Sequence, residues 1–238
     1  MAISILTKGY FMIIYGKQQF LYVLKNYPQR LRTVYLAKQC DQKLFSTIAN
    51  ATSTIVKVDN QKAQSLARGG NHQGFIADIE PLIYSDFSIA KNGKFLVILD
   101  RLTDVGNIGA IIRTAYAFGA DAVIVSGVKT LNLESIIRSS SAAVFEMPVI
   151  LFPNALDMLN ELKQVGFTFY GADVNGENVS QVNFDEKVAL VMGNEGEGIN
   201  KKLKPKLDKM VSIKMARAFD SLNVSAATAI ICDRIANG

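Results

Sequence analysis

The sequence predicts an α/β protein whose larger part is built on a parallel sheet. Continuous apolar runs, typical of strands buried on both faces, alternate there with stretches of helical character. The 238 residues are 49% hydrophobic and 20% charged, an ordinary globular composition that excludes disordered, collagen-like and coiled-coil chains. Segments rich in glycine and asparagine follow several of the apolar runs, which is where open α/β sheets bind their ligands.

The predicted elements follow one another in a regular order. The first part of the chain predicts strands over 32–36, 55–58 and 74–79, and helices over 18–26 and 41–49. The second part predicts strands over 95–100, 122–126, 148–152, 167–172, 188–192 and 210–213, and helices over 107–118, 132–139, 155–165 and 223–236. Residues 81–93 show little periodicity and end in Lys91, Asn92 and Gly93, so a linker is expected there. The predicted organisation is a small domain over 1–80, a linker over 81–93 and a larger domain over 94–238.

Charge is distributed unevenly between the two predicted domains. Residues 1–80 carry ten lysines and arginines against four acids, a formal charge of +6, whereas the rest of the chain carries 16 against 17, a charge of −1. This asymmetry predicts that the first domain binds a polyanion. The alternative is a basic surface without function, which has the same composition.

Several classes of protein lack the residues they need. The cysteines, Cys40 and Cys232, are far apart and the chain has a single histidine, His72, so neither a metal site nor a histidine-based triad is expected. No apolar run approaches the roughly 18 residues of a membrane span. The apolar N-terminal stretch 1–15 is interrupted by Lys8 and Gly9 and lacks a leader-peptide cleavage pattern. We therefore expect a cytoplasmic protein without a membrane partner.

Two polar clusters lie at the starts of predicted helices. Asn107 and Gly109 open the helix over 107–118, and Arg113 follows Asn107 by six residues, so helical periodicity alone does not place these two side chains on one face. Ser221 and Asn223 precede the last helix, where either is a good cap. Taken singly, the first cluster is explained about as well by a capped helix and an exposed arginine as by a binding site, whereas helix capping is the better explanation of the second.

A third cluster, GNEGEG, follows the predicted strand over 188–192. Its glycines allow the backbone to approach a ligand closely, and two glutamates lie between them. Carboxylates repel phosphate, and the spacing matches neither a Walker motif nor the G-x-G-x-x-G of nicotinamide dehydrogenases. The cluster therefore favours a ligand with a positive centre.

In this order the segments N-x-G-x-x-x-R, GNEGEG and SLNVS resemble the SpoU-type RNA 2'-O-ribose methyltransferases of the SPOUT class. Residues 13–38 and 72–82 resemble the small RNA-binding domain of the ribosomal RNA members, so the resemblance covers nearly the whole chain. It implies a C-terminal domain tied in a deep trefoil knot, S-adenosyl-L-methionine as cofactor, a guanosine of 23S rRNA as substrate, and a homodimer; DNA is not an expected partner. The alternatives are a transfer-RNA ribose methyltransferase and a catalytically inactive RNA-binding or ribosome-assembly factor.

The resemblance also implies site residues. The cofactor-binding positions, which act mostly through backbone groups, correspond to Gly193, Asn194, Gly196, Ile213, Met215 and Leu222, and the active-site positions correspond to Asn107, Arg113, Glu195, Ser221 and Asn223. Because a guanidinium is a poor proton acceptor, we expect Arg113 to bind RNA phosphate and stabilise the developing alkoxide, while Asn107, Glu195 and Asn223 orient groups around it.

The chain also departs from the family pattern. Lys214 stands where proline is usual, Arg217 where glycine is common, and Val105 and Gly106 replace a frequent Pro-His or Pro-Gly pair. The segment 139–142, Ser-Ser-Ser-Ala, replaces a serine-glycine turn. The main motif residues are intact, so activity is expected. In the last helix, Val224, Ala227, Ile231 and Ile235 recur at helical spacing and are expected either in the dimer interface or in the core of the monomer.

Overall fold

The computed structural model describes residues 12–217 and 221–238, so most of the apolar N-terminal stretch lies outside the described residues. The chain forms two compact units that divide between Ile83 and Tyr84. Among the helices that the structure describes, none is long and apolar enough to cross a membrane.

The first unit contains a four-stranded mixed sheet. Its described elements are β1 (Met12–Tyr15), α1 (Lys17–Asn26), β2 (Leu31–Leu36), α2 (Gln42–Ala51), β3 (Ile55–Lys57), α3 (Asn60–Leu66) and β4 (Phe75–Ile79). The strand order is β1-β4-β2-β3, in which β4 is antiparallel to both neighbours and β2 is parallel to β3. Asp41 and Asp59 accept hydrogen bonds from backbone amides and so cap α2 and α3. Strand β1 and helix α3 were not among the elements predicted from the sequence.

The second unit contains the predicted parallel sheet. Its described elements are α4 (Phe87–Asn92), β5 (Phe95–Asp100), α5 (Val105–Ala117), β6 (Ala122–Ser126), α6 (Leu133–Ser139), β7 (Val149–Phe152), α7 (Ala155–Gln164), β8 (Thr168–Asn178), β9 (Val188–Met192), β10 (Lys209–Ser212) and α8 (Val224–Asn237). All five strand pairs are parallel. Strands β5, β6 and β9 are buried along their whole length, which explains their continuous apolar sequences.

The strand order β10-β8-β9-β5-β6-β7 contains a topological switch point between β5 and β9. From β5 the chain builds the sheet through β6 to β7, and then crosses to β8 and β9 on the other side. The loops that leave β5 and β9 therefore lie side by side at the carboxyl edge, which is where a crevice for ligands forms in such sheets.

The expected linker contains structure. Residues 87–92 form α4, whose Ala90 is fully buried in the core of the second unit, and Phe87 packs on Phe152 with ring centroids 4.5 Å apart. The backbone amide of Ser85 donates to the carbonyl of Val149. The segment from Tyr84 onward thus belongs to the larger unit. Its apolar positions are too few to show a helical period in the sequence.

Helix α5 begins two residues earlier than expected. Asp104 is its cap and accepts a hydrogen bond from the amide of Asn107, which leaves the side chain of Asn107 available for other contacts. Gly109 lies within the helix, where a Cβ would come 2.0 Å from the Ser139 Oγ. This glycine therefore serves the close packing of α5 on α6.

Candidate active site

A pocket of about 500 Å³ opens at the carboxyl ends of β9 and β10, beside the middle of β8 and the start of α8. Four chain segments line it, and its lining residues include Asp173, Gly193, Glu195, Ile213 and Leu222. No basic residue is among the described residues that line it, so the charged side chains facing the pocket are carboxylates. Hydrogen bonding by Lys204 lowers the pKa of Asp173, and the resulting ion pair offsets the charge of that carboxylate.

The loop over 193–198 closes on itself. Asn194 and Gly198 exchange two backbone hydrogen bonds of 3.2 and 2.8 Å, and the Oδ1 of Asn194 accepts from the amide of Gly196. A Cβ on Gly193 would lie 2.2 Å from the Gly198 carbonyl carbon and the Ile199 nitrogen. The absence of a side chain at Gly193 is therefore needed by the loop's own backbone, a different reason from the close ligand approach that the sequence suggested.

Arg101 ties this loop to the end of β5 and was missed by the sequence analysis. Its backbone is left-handed, with φ +57°, and its Nη1 pairs with the Glu197 Oε2 at 2.6 Å. Its carbonyl accepts from the Asn194 Nδ2 at 3.2 Å. Gly127 makes room for the side chain, since a Cβ there would lie 2.5 Å from the Arg101 Cγ. The position of Arg101 directly after a buried strand at the switch point was the signal that could have found it.

Three of the predicted active-site residues form one hydrogen-bonded chain. Asn223 caps α8, because its Oδ1 accepts from the amides of Ser225 and Ala226. Its Nδ2 donates to the Asn107 Oδ1 at 3.1 Å, and the Asn107 Nδ2 donates to the Glu195 Oε1 at 2.7 Å. The cap fixes which atom of Asn223 donates, and so the direction of every bond in the chain. The capping role expected of Asn223 is therefore confirmed, and the side-chain atom that the cap leaves free is bonded to Asn107, a second predicted active-site residue.

Arg113 lies apart from this chain of bonds. It is exposed on α5, about 9 Å further along the helix axis than Asn107 at the usual rise per residue. Its Nη1 donates to the Ser141 Oγ at 3.4 Å, a long contact. Ser141 and Ala142 are both left-handed, with φ +53° and +71°, in the turn that ends α6. The departure from a serine-glycine turn thus places two non-glycine residues in a conformation that favours glycine.

Most of the predicted site residues converge on the pocket. Those that line it are Gly193, Asn194, Glu195, Ile213, Met215, Ser221, Leu222 and Asn223. Gly196 does not line it and acts within the loop, and Asn107 reaches it through Glu195 and Asn223. Lys214 and Arg217 are exposed and lie outside the lining, although they flank Met215. Within the described part of the chain, no three histidine, cysteine or acidic residues are grouped as metal ligands would be.

Comparison with known proteins matches both units to one class of protein, the RNA 2'-O-ribose methyltransferases. Residues 94–233 match the model of the SpoU rRNA Methylase family, and residues 13–85 match the model named RNA 2'-O ribose methyltransferase substrate binding. The chain belongs to the SpoU rRNA methylase family.

Individual relatives cover most of the chain. It is 34% identical over 231 residues to the 23S rRNA (guanosine-2'-O-)-methyltransferase RlmB of Haemophilus ducreyi, covering 91% of this chain and 94% of the relative. A protein of Archaeoglobus fulgidus named as an uncharacterized tRNA/rRNA methyltransferase is 33% identical over 75% of this chain and 82% of its own length. The crystal structure of an AdoMet-bound rRNA methyltransferase from Sinorhizobium meliloti superposes with a TM-score of 0.78 at 25% identity, covering 94% of this chain and 86% of that one.

Proposed function

We propose that the protein transfers a methyl group from S-adenosyl-L-methionine to the ribose 2'-oxygen of a guanosine in 23S rRNA. The observation that carries the proposal is the hydrogen-bonded chain from Asn223 through Asn107 to Glu195 at the mouth of an acidic pocket. The relatives named as guanosine-2'-O-methyltransferases support the choice of substrate.

The residues present fit this cofactor. Its sulfonium is positive, and the two charged side chains among the described lining residues are the carboxylates of Glu195 and of Asp173, the latter paired with Lys204 outside the lining. Apolar side chains, including Ile213 and Leu222, supply surface for the uncharged part of such a molecule. When bound, the cofactor supplies an electrophilic methyl group. We propose that Gly193, Asn194, Ile213, Met215 and Leu222 hold it, with Gly196 supporting the loop.

The protein's own contribution is to orient the ribose and help its hydroxyl lose a proton. Glu195 is the only carboxylate in the hydrogen-bonded chain, and its Oε1 is already occupied by Asn107. We propose that its second oxygen accepts the proton of the 2'-hydroxyl, because amides and guanidinium groups are poor acceptors. Ser221, which also lines the pocket, adds a hydroxyl that can hydrogen-bond the ribose.

Arg113 has a separate role in this proposal. Among the described residues, the long contact to Ser141 is the one hydrogen bond of its exposed guanidinium, so the group can turn toward an RNA phosphate. Two parallel N–H groups suit a phosphate oxygen pair, and the positive charge stabilises the alkoxide that develops on the ribose.

The remaining parts of the proposal concern the RNA-binding module, the knot, the cellular location and the oligomeric state. We propose that the first unit is the RNA-binding module, in keeping with its charge of +6, that the second unit is knotted, and that the enzyme acts in the cytoplasm as a homodimer. Of the predicted stripe on α8, Val224 and Ile231 are buried in the monomer and Ala227 and Ile235 are half-buried, whereas Ile230, outside the stripe, is 41% exposed. Ile230→Asp should therefore shift sedimentation toward the monomer, whereas a wild-type protein that sediments as a monomer at micromolar concentration contradicts the dimer.

The test of the main proposal is methyl transfer to two purified RNAs. Unmodified 23S rRNA and unmodified transfer RNA are each incubated with radiolabelled S-adenosylmethionine, and methylated riboses are mapped. Label on a single guanosine ribose of 23S rRNA is the expected result. Label on transfer RNA alone would move the substrate to that class, and donor binding without transfer to either RNA would favour the inactive factor.

A further inference from the structure

A second cavity lies within the first unit and has no role in the chemistry above. It is open, holds about 400 Å³, and is lined by polar residues of α3, by Lys38 and by the glycine-rich loop over 69–74. No acidic residue is among the described residues that line it. Its charge is therefore opposite in sign to that of the pocket in the second unit.

The loop presents a buried histidine to this cavity. His72 is 6% exposed, and its Nδ1 accepts a hydrogen bond of 3.1 Å from the amide of Gly74. Because a backbone amide donates to Nδ1, the ring hydrogen lies on Nε2. No described residue accepts from Nε2, so the ring offers one donor to whatever occupies the cavity.

Backbone groups add further donors. The amides of Asn71, His72 and Gln73 donate to no acceptor among the residues that the structure describes. Gln73 and Gly74 are both left-handed, with φ +51° and +90°, so this segment forms neither a helix nor a strand that would engage its amides. Gly74 also allows Lys38 to lie against the loop, since a Cβ there would come 2.9 Å from the Lys38 Cβ and Cγ.

We propose that this cavity binds a phosphodiester of the RNA substrate, held by Lys38, the His72 Nε2–H and the amides of residues 71–73. The inference rests on the proposed function for the identity of the polyanion, and on the donors lining the cavity for the chemistry. Such a contact positions RNA without reading its sequence, so it adds affinity and salt dependence.

The first experiment reads the site directly, without ribosomal RNA. The chain has one histidine, so the imidazole signals in an NMR spectrum of the full-length protein belong to His72 alone. Diuridine monophosphate should shift these signals and uridine should not. Asn71→Asp places a carboxylate beside the loop amides and should abolish the shift. Either of two results overturns the proposal. One is that the His72 signals do not shift with the dinucleotide. The other is that inorganic phosphate shifts them equally, which indicates an adventitious ion only.

The second experiment measures 23S rRNA binding across a salt series. Asn71→Asp should weaken affinity about ten-fold at low salt, and Lys38→Gln should reduce the log–log salt slope by about 0.7 to 0.9. The matched controls are Gln42→Glu and Lys43→Gln, the same charge changes on exposed positions of α2 outside the cavity lining. Equal losses in test and control variants overturn the site.

The two proposals fail in different ways. A wild-type protein that transfers no methyl group to ribosomal RNA contradicts the proposed function, while the dinucleotide titration still decides whether the cavity binds a phosphodiester. Normal methyl transfer with silent His72 signals contradicts the cavity alone.

Discussion

The loop over 69–74 in the first unit and the loop over 193–198 in the second use glycine in the same way and surround their cavities with opposite charge. Both turn tightly, with left-handed glycines at Gly69, Gly74 and Gly198. The first loop lines a cavity together with Lys38, its His72 offers an N–H group, and no acidic residue is among the described residues that line this cavity. The second loop lines a pocket whose described charged residues are carboxylates. Glycine thus provides backbone room, and the neighbouring side chains decide the sign of the ligand.

The largest expected effect comes from a substitution that disrupts the loop over 193–198 and leaves the loop over 69–74 unchanged. Gly193→Val must displace the backbone of Gly198 and Ile199, and an overpacked site of this kind costs up to about 3 kcal/mol, or roughly 100-fold in donor affinity. Calorimetric titration with S-adenosylmethionine measures the loss, with and without a chelator. RNA affinity should be unchanged. The control is Gly196→Ala, whose Cβ would meet only the Asn194 Oδ1 at 3.5 Å; donor affinity in Gly193→Val equal to that of this control would contradict the account.

Arg113→Ala should remove most methyl transfer and leave the pocket of the second unit and the cavity of the first unit unchanged. Loss of one charge-stabilising group lowers turnover by about 10²- to 10³-fold. Donor affinity should stay within a few-fold, because Arg113 does not line the pocket. Arg113→Lys should recover little, since a point charge does not replace a bidentate fork. Single-turnover methyl transfer is the measurement, and near-normal rates in the lysine variant would exclude this role.

Separating the units should separate the two kinds of binding. A fragment over 84–238 keeps every residue that lines the donor pocket, so its donor affinity should equal that of the full chain. It loses the basic segment, so its affinity for 23S rRNA should fall by at least about ten-fold with a shallower salt slope. Unchanged RNA binding by the fragment would show that the first unit is not the RNA module.

The start of the fragment provides its control. Beginning at Lys94 instead of Tyr84 removes α4 and exposes the core that Phe87 and Ala90 cover, at a cost of roughly 3 kcal/mol. Urea denaturation should therefore show a lower midpoint for 94–238 than for 84–238.

A smaller effect on the binding of S-adenosylmethionine is expected at the ion pair by which Arg101 supports the loop over 193–198. Arg101→Gln and Glu197→Gln should each weaken donor binding about three-fold, because a partly exposed ion pair contributes under about 1 kcal/mol. The double variant should lose no more than Arg101→Gln alone. Glu186→Gln, which breaks the exposed pair with Lys94 outside the pocket lining, is the control and should leave donor affinity unchanged. Strictly additive losses would show that the pair does not act as a unit.

The smallest expected effect concerns a turn that lacks glycine. Ser141→Gly relieves a left-handed residue at the end of α6 and should stabilise the fold by about 1 kcal/mol. It also removes the Oγ that Arg113 contacts, but the guanidinium gives up this long contact when it turns toward RNA, so turnover should stay close to that of the wild type. Ser141→Ala removes the same hydroxyl and keeps the left-handed residue, so it should show the same turnover without the gain in stability. Thermal unfolding and methyl transfer on the two variants check both parts.

Much of the fold could be predicted because burial leaves a direct trace in sequence. Strands β5, β6 and β9 are covered on both faces, so their apolar runs coincide with the strands residue for residue. Strand β1 and helices α3 and α4 were missed because they are short, and short amphipathic segments have too few positions to show a period. The order of the three motifs indicated the family, and the family models then matched it.

The sequence by itself determined which chemical groups the chain contains: the apolar strands of the parallel sheet, the basic first third, the glycine loop with its glutamates, and few histidines and cysteines. Only the tertiary structure decided which of these groups meet. Asn107 and Glu195 are 88 positions apart in the chain, and Asn107 and Asn223 are 116 apart, yet both pairs are hydrogen-bonded. Arg101 reaches the donor loop and Ser141 reaches Arg113 for the same reason. Such contacts depend on strand order, and strand order is set by how the whole chain packs, which no local pattern records.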